Sequence, residues 1–241
     1  MKLFVYHTPE SVPQGSPDCA IVVDILRATT TIATALGAGA EFVQVFASLD
    51  ELDRTSSSYR DGYCLRAAER GGKRVEGYDL GNSPLDYTPD RVGGKGILLS
   101  TTNGTRALQR VSHAPQVLTV AFVNLGIIAE FVQKHQPQTL WIVGSGWEGN
   151  FSLEDTACAG ALADRLAGTY QFGNDEAVAA QALYLHWQES LEGLFHHATH
   201  GQRLLRLQGE MDLAYCAKVD LLRVVPLQQE PGILRANLSQ S

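Results

Sequence analysis

Residues 97–108 read ILLSTTNGTRAL, a short apolar run that stops at hydroxyls, one amide, one glycine and one arginine before a helical pattern begins. The pattern predicts a strand, a turn and a helix N-terminus. Free N–H groups of a first helical turn, the positive end of the helix dipole, the hydroxyls of Ser100, Thr101, Thr102 and Thr105 and the guanidinium of Arg106 all favour an anion, with Asn103 and Gly104 forming the turn. A phosphate or a sulfonate suits such a junction. Residues 21–36, IVVDILRATTTIATAL, repeat the grammar: a buried-looking strand runs into Asp24, Arg27 and the triplet Thr29, Thr30, Thr31 ahead of an alanine-rich helix. Threonines and asparagines also cap helices, and arginines are commonly solvated or paired, so each junction alone has a purely structural explanation. Two together favour a site. No GxxxxGK[ST] and no GxGxxG occurs, so nucleotide-binding folds gain no support.

Outward from these junctions, strands and helices alternate along most of the 241 residues, as expected of an α/β fold. Strands are expected at 2–6, 19–26, 41–47, 62–67, 116–122 and 139–143, with helices at 28–38, 48–59 and 125–135. Strands ending near Leu26, Ser100 and Val143 are expected to lie parallel with their carboxyl ends on one side, where ligands of open α/β sheets gather. A single domain over 1–241 is expected, with two α/β subdomains of about 1–120 and 121–241 and the site between them. After a helix at 176–188 the alternation lapses into short helical segments up to Lys218, then a last strand at 222–227 and a tail, 237–241, expected to fray.

A composition of 44% hydrophobic and 19% charged residues is ordinary for a globular chain. The net charge of −7, with no run of Lys and Arg, argues against nucleic-acid binding. Nowhere do 18 apolar residues follow one another, so a cytoplasmic protein without membrane attachment is expected. The four cysteines form no CxxC pair and are read as reduced core thiols.

The candidate acids are spread along the chain. Asp24 interrupts an apolar run and needs a partner: Arg27, the N-terminus of the next helix, or a metal ion. Residues 67–87, AAERGGKRVEGYDLGNSPLDY, form a long irregular segment in which Glu69, Arg70, Asn82 and Ser83 sit among glycines and a proline, as in functional loops or ordinary turns. Residues 141–162, WIVGSGWEGNFSLEDTACAGAL, form a third strand, turn and helix; Ser152 and Asp155 fit a capping box, whereas Glu154 is not needed for one and is a candidate Mg²⁺ ligand. His196 and His200 have i, i+4 spacing, but no HExxH pattern follows, and an exposed helix face is expected for them.

Five runs carry a resemblance to a known family: VDILRATTTIATAL, ERGGKRVEGYDLGNSP, STTNGTRAL, GNFSLEDTACAG and GEMDLAYCAKVDLLRVVP. Together they span most of the chain, which resembles the 2-phosphosulfolactate phosphatase (ComB) family. The resemblance implies an α/β fold distinct from the common phosphatase folds, Mg²⁺ as cofactor, and hydrolysis of 2-phospho-3-sulfolactate, or a related small phosphate monoester, to the alcohol and phosphate. It implies Asp24, Arg27, Arg106 and Glu154 as catalytic groups and Asp24, Glu69, Glu154 and Asp155 as metal ligands. Thr29, Thr30, Thr31, Arg70, Asn82, Ser83 and the 100–105 turn would then meet the substrate. The implied partner is a small anionic phosphoester; homodimer formation stays open. Asp24 lacks the DxD context of haloacid dehalogenase-type phosphatases, which favours attack by water over an aspartyl-phosphate. The competing expectation is a non-catalytic binding protein for a small phosphorylated or sulfonated acid, using the same arginines and helix ends.

Overall fold

The computed structural model describes residues 1–237; apart from Asn237, the tail expected to fray lies outside the described residues. In chain order, β1 (Lys2–Tyr6) and β2 (Cys19–Val23) lead into α1 (Ala28–Gly37), followed by β3 (Phe42–Val45), α2 (Leu49–Ser56), β4 (Cys64–Arg70) and β5 (Lys73–Arg74). Next come α3 (Pro89–Val92), β6 (Gly96–Ser100), α4 (Gly104–Val111), β7 (Gln116–Val120), α5 (Leu125–His135) and β8 (Thr139–Gly144). Five more helices follow, interrupted once by a short strand: α6 (Leu153–Leu166), β9 (Gln171–Phe172), α7 (Asp175–Trp187), α8 (Leu191–His197), α9 (Thr199–Arg206) and α10 (Glu210–Cys216). The hairpin β10 (Pro226–Glu230) and β11 (Ile233–Ala236) comes last among the described residues.

All the strands belong to one mixed sheet in the order β5-β4-β6-β3-β11-β10-β7-β2-β8-β1-β9. Strands from before and after residue 120 interleave in it, since β11 and β10 lie between β3 and β7, and β1 lies between β8 and β9. β2 and β6 are buried at every residue, as expected of strands covered on both faces. β2 and β8 pair in parallel, Val23 opposite Gly144, so the junctions after them are neighbours as expected.

The junction after β6 departs from the expected arrangement. β6 pairs in parallel with β3 and β4, but β3–β11, β11–β10 and β10–β7 are all antiparallel. The β4-β6-β3 block therefore runs opposite in sense to the β7-β2-β8-β1-β9 block, because the C-terminal hairpin is inserted between them. Strands twist by roughly 20–25° per step, so the five steps from β6 to β2 turn the sheet through about 100°. Opposite sense in the ladder then no longer means opposite ends of the molecule, and the turns leaving β2 and β6 meet.

The strand expected at 222–227 starts only at Pro226. Residues 220–224 bond instead to the turn before α5: Asp220 and Leu222 donate to the Phe122 and Val123 carbonyls, and Asn124 Nδ2 donates to the Val224 carbonyl. The pairing of β10 with β11, which the apolar pattern did not reveal, follows. Cys19, Cys158 and Cys216 are buried, Cys64 is half-buried, and all four are free thiols. Among the described residues no helix is long and apolar enough to cross a membrane.

Candidate active site

Asp24 follows the last residue of β2, where the backbone leaves the sheet. Its Oδ1 accepts the Ala28 N–H at 3.1 Å at the start of α1, so capping is one of its roles. Of the partners open to it, Arg27 is not the one taken. Arg27 pairs instead with Asp212 on α10 and donates through Nη2 to the Gly72 carbonyl at 3.0 Å. Burial pushes the Asp24 carboxyl up to about 6; the Ala28 N–H and His200 pull it down, while the like charges of Glu154 and Glu69 push it further up.

Asp155 sits in the first turn of α6. The Ser152 hydroxyl accepts the Asp155 N–H, one half of the expected capping box. The Asp155 carboxylate does not return to Ser152: it accepts the Ile25 N–H at 2.9 Å and the Gly146 N–H at 3.2 Å, tying together the turns after β2 and β8. Burial, then the charges of Asp24 and Glu154, hold its pKa well above the carboxylate range. Glu154 is itself buried, with His200 Nδ1 3.5 Å from Oε1. Glu69, at the end of β4, accepts the Gly72 N–H and, at 3.4 Å, the Thr102 hydroxyl, so the β4 and β6 junctions share it.

Arg70 spans the same two strand ends, donating to the Ser100 hydroxyl at 2.9 Å and the Ser100 carbonyl at 3.3 Å. The two blocks of the sheet touch at Gly104. A Cβ there would stand 2.7 Å from Asp24 Oδ2 and 2.7 Å from the Ala28 Cβ, closer than carbon tolerates, so the glycine is what allows α4 to start against Asp24.

Other expected binding groups face the backbone. Thr29 and Thr30 donate to the Asp24 and Ile25 carbonyls, and Thr31 to the Asn82 carbonyl at 2.9 Å. Thr101 and Thr105 lie 3.4 Å apart, hydroxyl to hydroxyl. Asn82, Asn103 and Ser145 each bury a side-chain oxygen that lacks a hydrogen-bond partner, although such atoms are normally satisfied. Asn103 is the N-cap residue of α4 but makes no side-chain cap. Ser83 donates to Asp212 Oδ1 at 2.6 Å.

Arg106 stands apart. It pairs with Glu10, and both side chains are about half exposed, at 49% and 51%. No described hydrogen bond or ion pair links it to Asp24, Glu69, Glu154 or Asp155.

Three residues enter the site that sequence reasoning passed over. His200 does not share an exposed face with His196: the helix is interrupted at Ala198 between α8 and α9, and the imidazole stacks on Trp147 with ring centroids 3.9 Å apart. Trp147, His200 and Glu154 line a recess of about 230 Å³. Asp212 is buried one helical turn before buried Cys216, an i, i+4 pairing in GEMDLAYC that marks its side of α10 as inward-facing.

A match to a family model described as 2-phosphosulpholactate phosphatase covers residues 6–231. The chain belongs to that family. Within the 2-phosphosulpholactate phosphatase family it is 59% identical over 239 residues to a "Probable 2-phosphosulfolactate phosphatase" of Picosynechococcus sp., covering 98% of this chain and 99% of that protein. Proteins of the same name from Thermosynechococcus vestitus and Synechocystis sp. are each 57% identical, covering 97% and 98% of this chain and 99% and 100% of their own. The five sequence runs that carry the family resemblance contribute Asp24 and Arg27, Glu69 and Ser83, Ser100 and Gly104, Glu154 and Asp155, and Asp212 to this constellation.

Among the described residues no three His, Cys, Asp or Glu side chains stand grouped as a ready metal site. The donor chemistry nevertheless fits Mg²⁺, which takes one or two carboxylates and completes its shell with water and substrate phosphate. Asp24 and Glu154 are buried oxygen donors, and Asp24 is lifted to about 6 partly by the charges of Glu154 and Glu69, a repulsion that a cation relieves.

Proposed function

We propose that this chain hydrolyses 2-phospho-3-sulfolactate, or a closely related small phosphate monoester, to 3-sulfolactate and phosphate in a site between the two blocks of the sheet. The observation that carries this is the convergence of Asp24, Glu69, Glu154 and Asp155 on the turns that also hold Arg27 and Arg70. A plain anion binder gains nothing from four acids beside its arginines, whereas phosphoryl transfer from a monoester dianion needs both charges. We read residues 1–241 as one domain, since the site draws on both halves of an interleaved sheet.

In the reaction a water oxygen bonds to phosphorus, the ester P–O bond breaks, its electron pair leaves on the sulfolactate oxygen, and that oxygen takes up a proton. Arg27 and Arg70 receive the phosphoryl and sulfonate groups through charge-assisted N–H bonds. Asp24 and Glu154 would hold Mg²⁺, and Glu69 adds its negative charge near Asp24, while Asp155 fixes the β2 and β8 turns through its two backbone bonds. When bound, Mg²⁺ neutralises charge on the phosphoryl oxygens. Burial of all four acids keeps bulk water from screening these interactions.

Phosphate release from a panel of phosphoesters, with Mg²⁺ and then with EDTA, tests the proposal. The expected result is release fastest from 2-phospho-3-sulfolactate and lost with EDTA. Tight binding of sulfolactate without release from any ester would make the protein a carrier instead.

A further inference from the structure

The run GEMDLAYC contributes one charged side chain to the buried interior, Asp212, and the hydrolytic chemistry above gives it no task. Asp212 is 5% exposed on α10. One carboxylate oxygen takes Arg27 Nη1, and the other accepts the Ser83 hydroxyl at 2.6 Å, so the carboxylate cannot rotate away. Arg27, 7% exposed, is gripped a second time by the Gly72 carbonyl at 3.0 Å, and the Gly72 N–H is held by Glu69. The guanidinium is therefore clamped from three directions: α10, the turn between β4 and β5, and its own place at the N-cap of α1.

A buried ion pair is a poor device for stability alone, because desolvation takes back most of the attraction and a packed apolar pair does as well. What it does provide is direction. An arginine side chain loses rotamer entropy when an anion fixes it, and here that loss is met on folding, before any ligand arrives. The planar fork keeps N–H donors beyond those given to Asp212 and Gly72.

We propose that Asp212, seconded by Ser83, is a positioning residue that holds Arg27 in the orientation that receives the substrate's anionic group; this rests on the hydrolase function proposed above only for which anion is received. Inorganic phosphate is the probe, with affinity measured by calorimetry, so the outcome is independent of turnover. Asp212→Asn is expected to weaken phosphate binding tenfold or more and to raise KM by a similar factor with a smaller change in kcat. Ser83→Ala is expected to do the same by a few-fold, and it tests the same clamp should Asp212→Asn fail to fold. In an Arg27→Ala background, adding Asp212→Asn is expected to weaken phosphate binding no further. Unchanged phosphate affinity in Asp212→Asn with only a lower melting temperature, or losses that multiply in the double variant, would overturn the proposal. A wild-type protein that binds phosphate with this dependence on Asp212 but releases none from any ester leaves the positioning role standing and removes the hydrolase.

Discussion

Arg27 and Arg106 stand in two stretches written with the same grammar, each just past a buried strand and among threonines at the start of a helix, and the fold treats them oppositely. Arg27 is buried against an aspartate 185 residues away and lies beside the Glu69 turn; Arg106 is half exposed against a glutamate 96 residues away. A strand, turn and helix motif specifies which side chain types gather at a helix start. It does not specify which of them face the cleft, because that depends on elements packed over the turn from elsewhere in the chain.

The contrast is tested most severely at Asp24, which belongs to the buried side. Asp24→Asn should lower turnover by more than about 1000-fold, if the carboxylate acts in the transition state and holds the cation, and raise the Mg²⁺ needed for any remaining activity. The pKa sign gives an independent check. Its folded pKa of about 6 lies above the ordinary 3.8, so the group favours folding when protonated, and that advantage disappears as pH rises from about 4 through 6. Without metal the asparagine variant should therefore melt higher than wild type at pH 7.5, by an amount corresponding to at most about 3 kcal/mol, and lose that advantage near pH 4. A lower metal-free melting temperature with an unchanged Mg²⁺ requirement would make Asp24 a helix cap and nothing more.

Next in size is Arg27→Ala. Loss of an oriented donor should cost on the order of 2–4 kcal/mol in kcat/KM, and leaving Asp212 buried without its partner should cost about 3–5 kcal/mol of stability. Lysine should restore the charge but only part of the rate, since it lacks the fork. Near wild-type kinetics for Arg27→Ala would erase the distinction between the two arginines.

Gly104→Ala probes where the two junctions touch. A methyl group 2.7 Å from Asp24 Oδ2 must displace either α4 or the carboxylate, so a strain of about 1–3 kcal/mol is expected. Activity should fall further than the melting temperature suggests, and a kcat and melting curve equal to wild type would show that α4 does not press on Asp24. The smallest effect belongs to Arg106→Ala. Its exposed pair with Glu10 should be worth no more than about 1 kcal/mol, with kcat/KM changed by less than about threefold if no transition-state contact is lost. A 100-fold loss there would return Arg106 to the catalytic group and invert the comparison.

Much of this was legible in the residues. Local periodicity and punctuation placed α1, α5 and β8 within a residue, and the start of α2 likewise, because apolar spacing, N-caps and glycines act over a single turn of chain; α2 ends three residues earlier than expected. The Ser48 cap on α2 and the exact span of α5 are examples. Long motifs were enough to indicate the family, and they named Asp24, Glu69, Glu154 and Asp155, since carboxylates inside apolar or glycine-rich stretches require a reason to be there.

Only the tertiary structure decided how these residues are used. It set the antiparallel hairpin β10–β11 between two parallel blocks, a pairing across most of the chain that leaves no mark in local periodicity. Asp155 went to the Ile25 and Gly146 amides, Arg27 to Asp212, Arg106 to Glu10, and His200 onto Trp147. The physical reason is common to all of them. A buried charge or polar group takes whichever complementary partner the packing brings within about 3 Å, and in a sheet of this order that partner comes from a distant part of the chain.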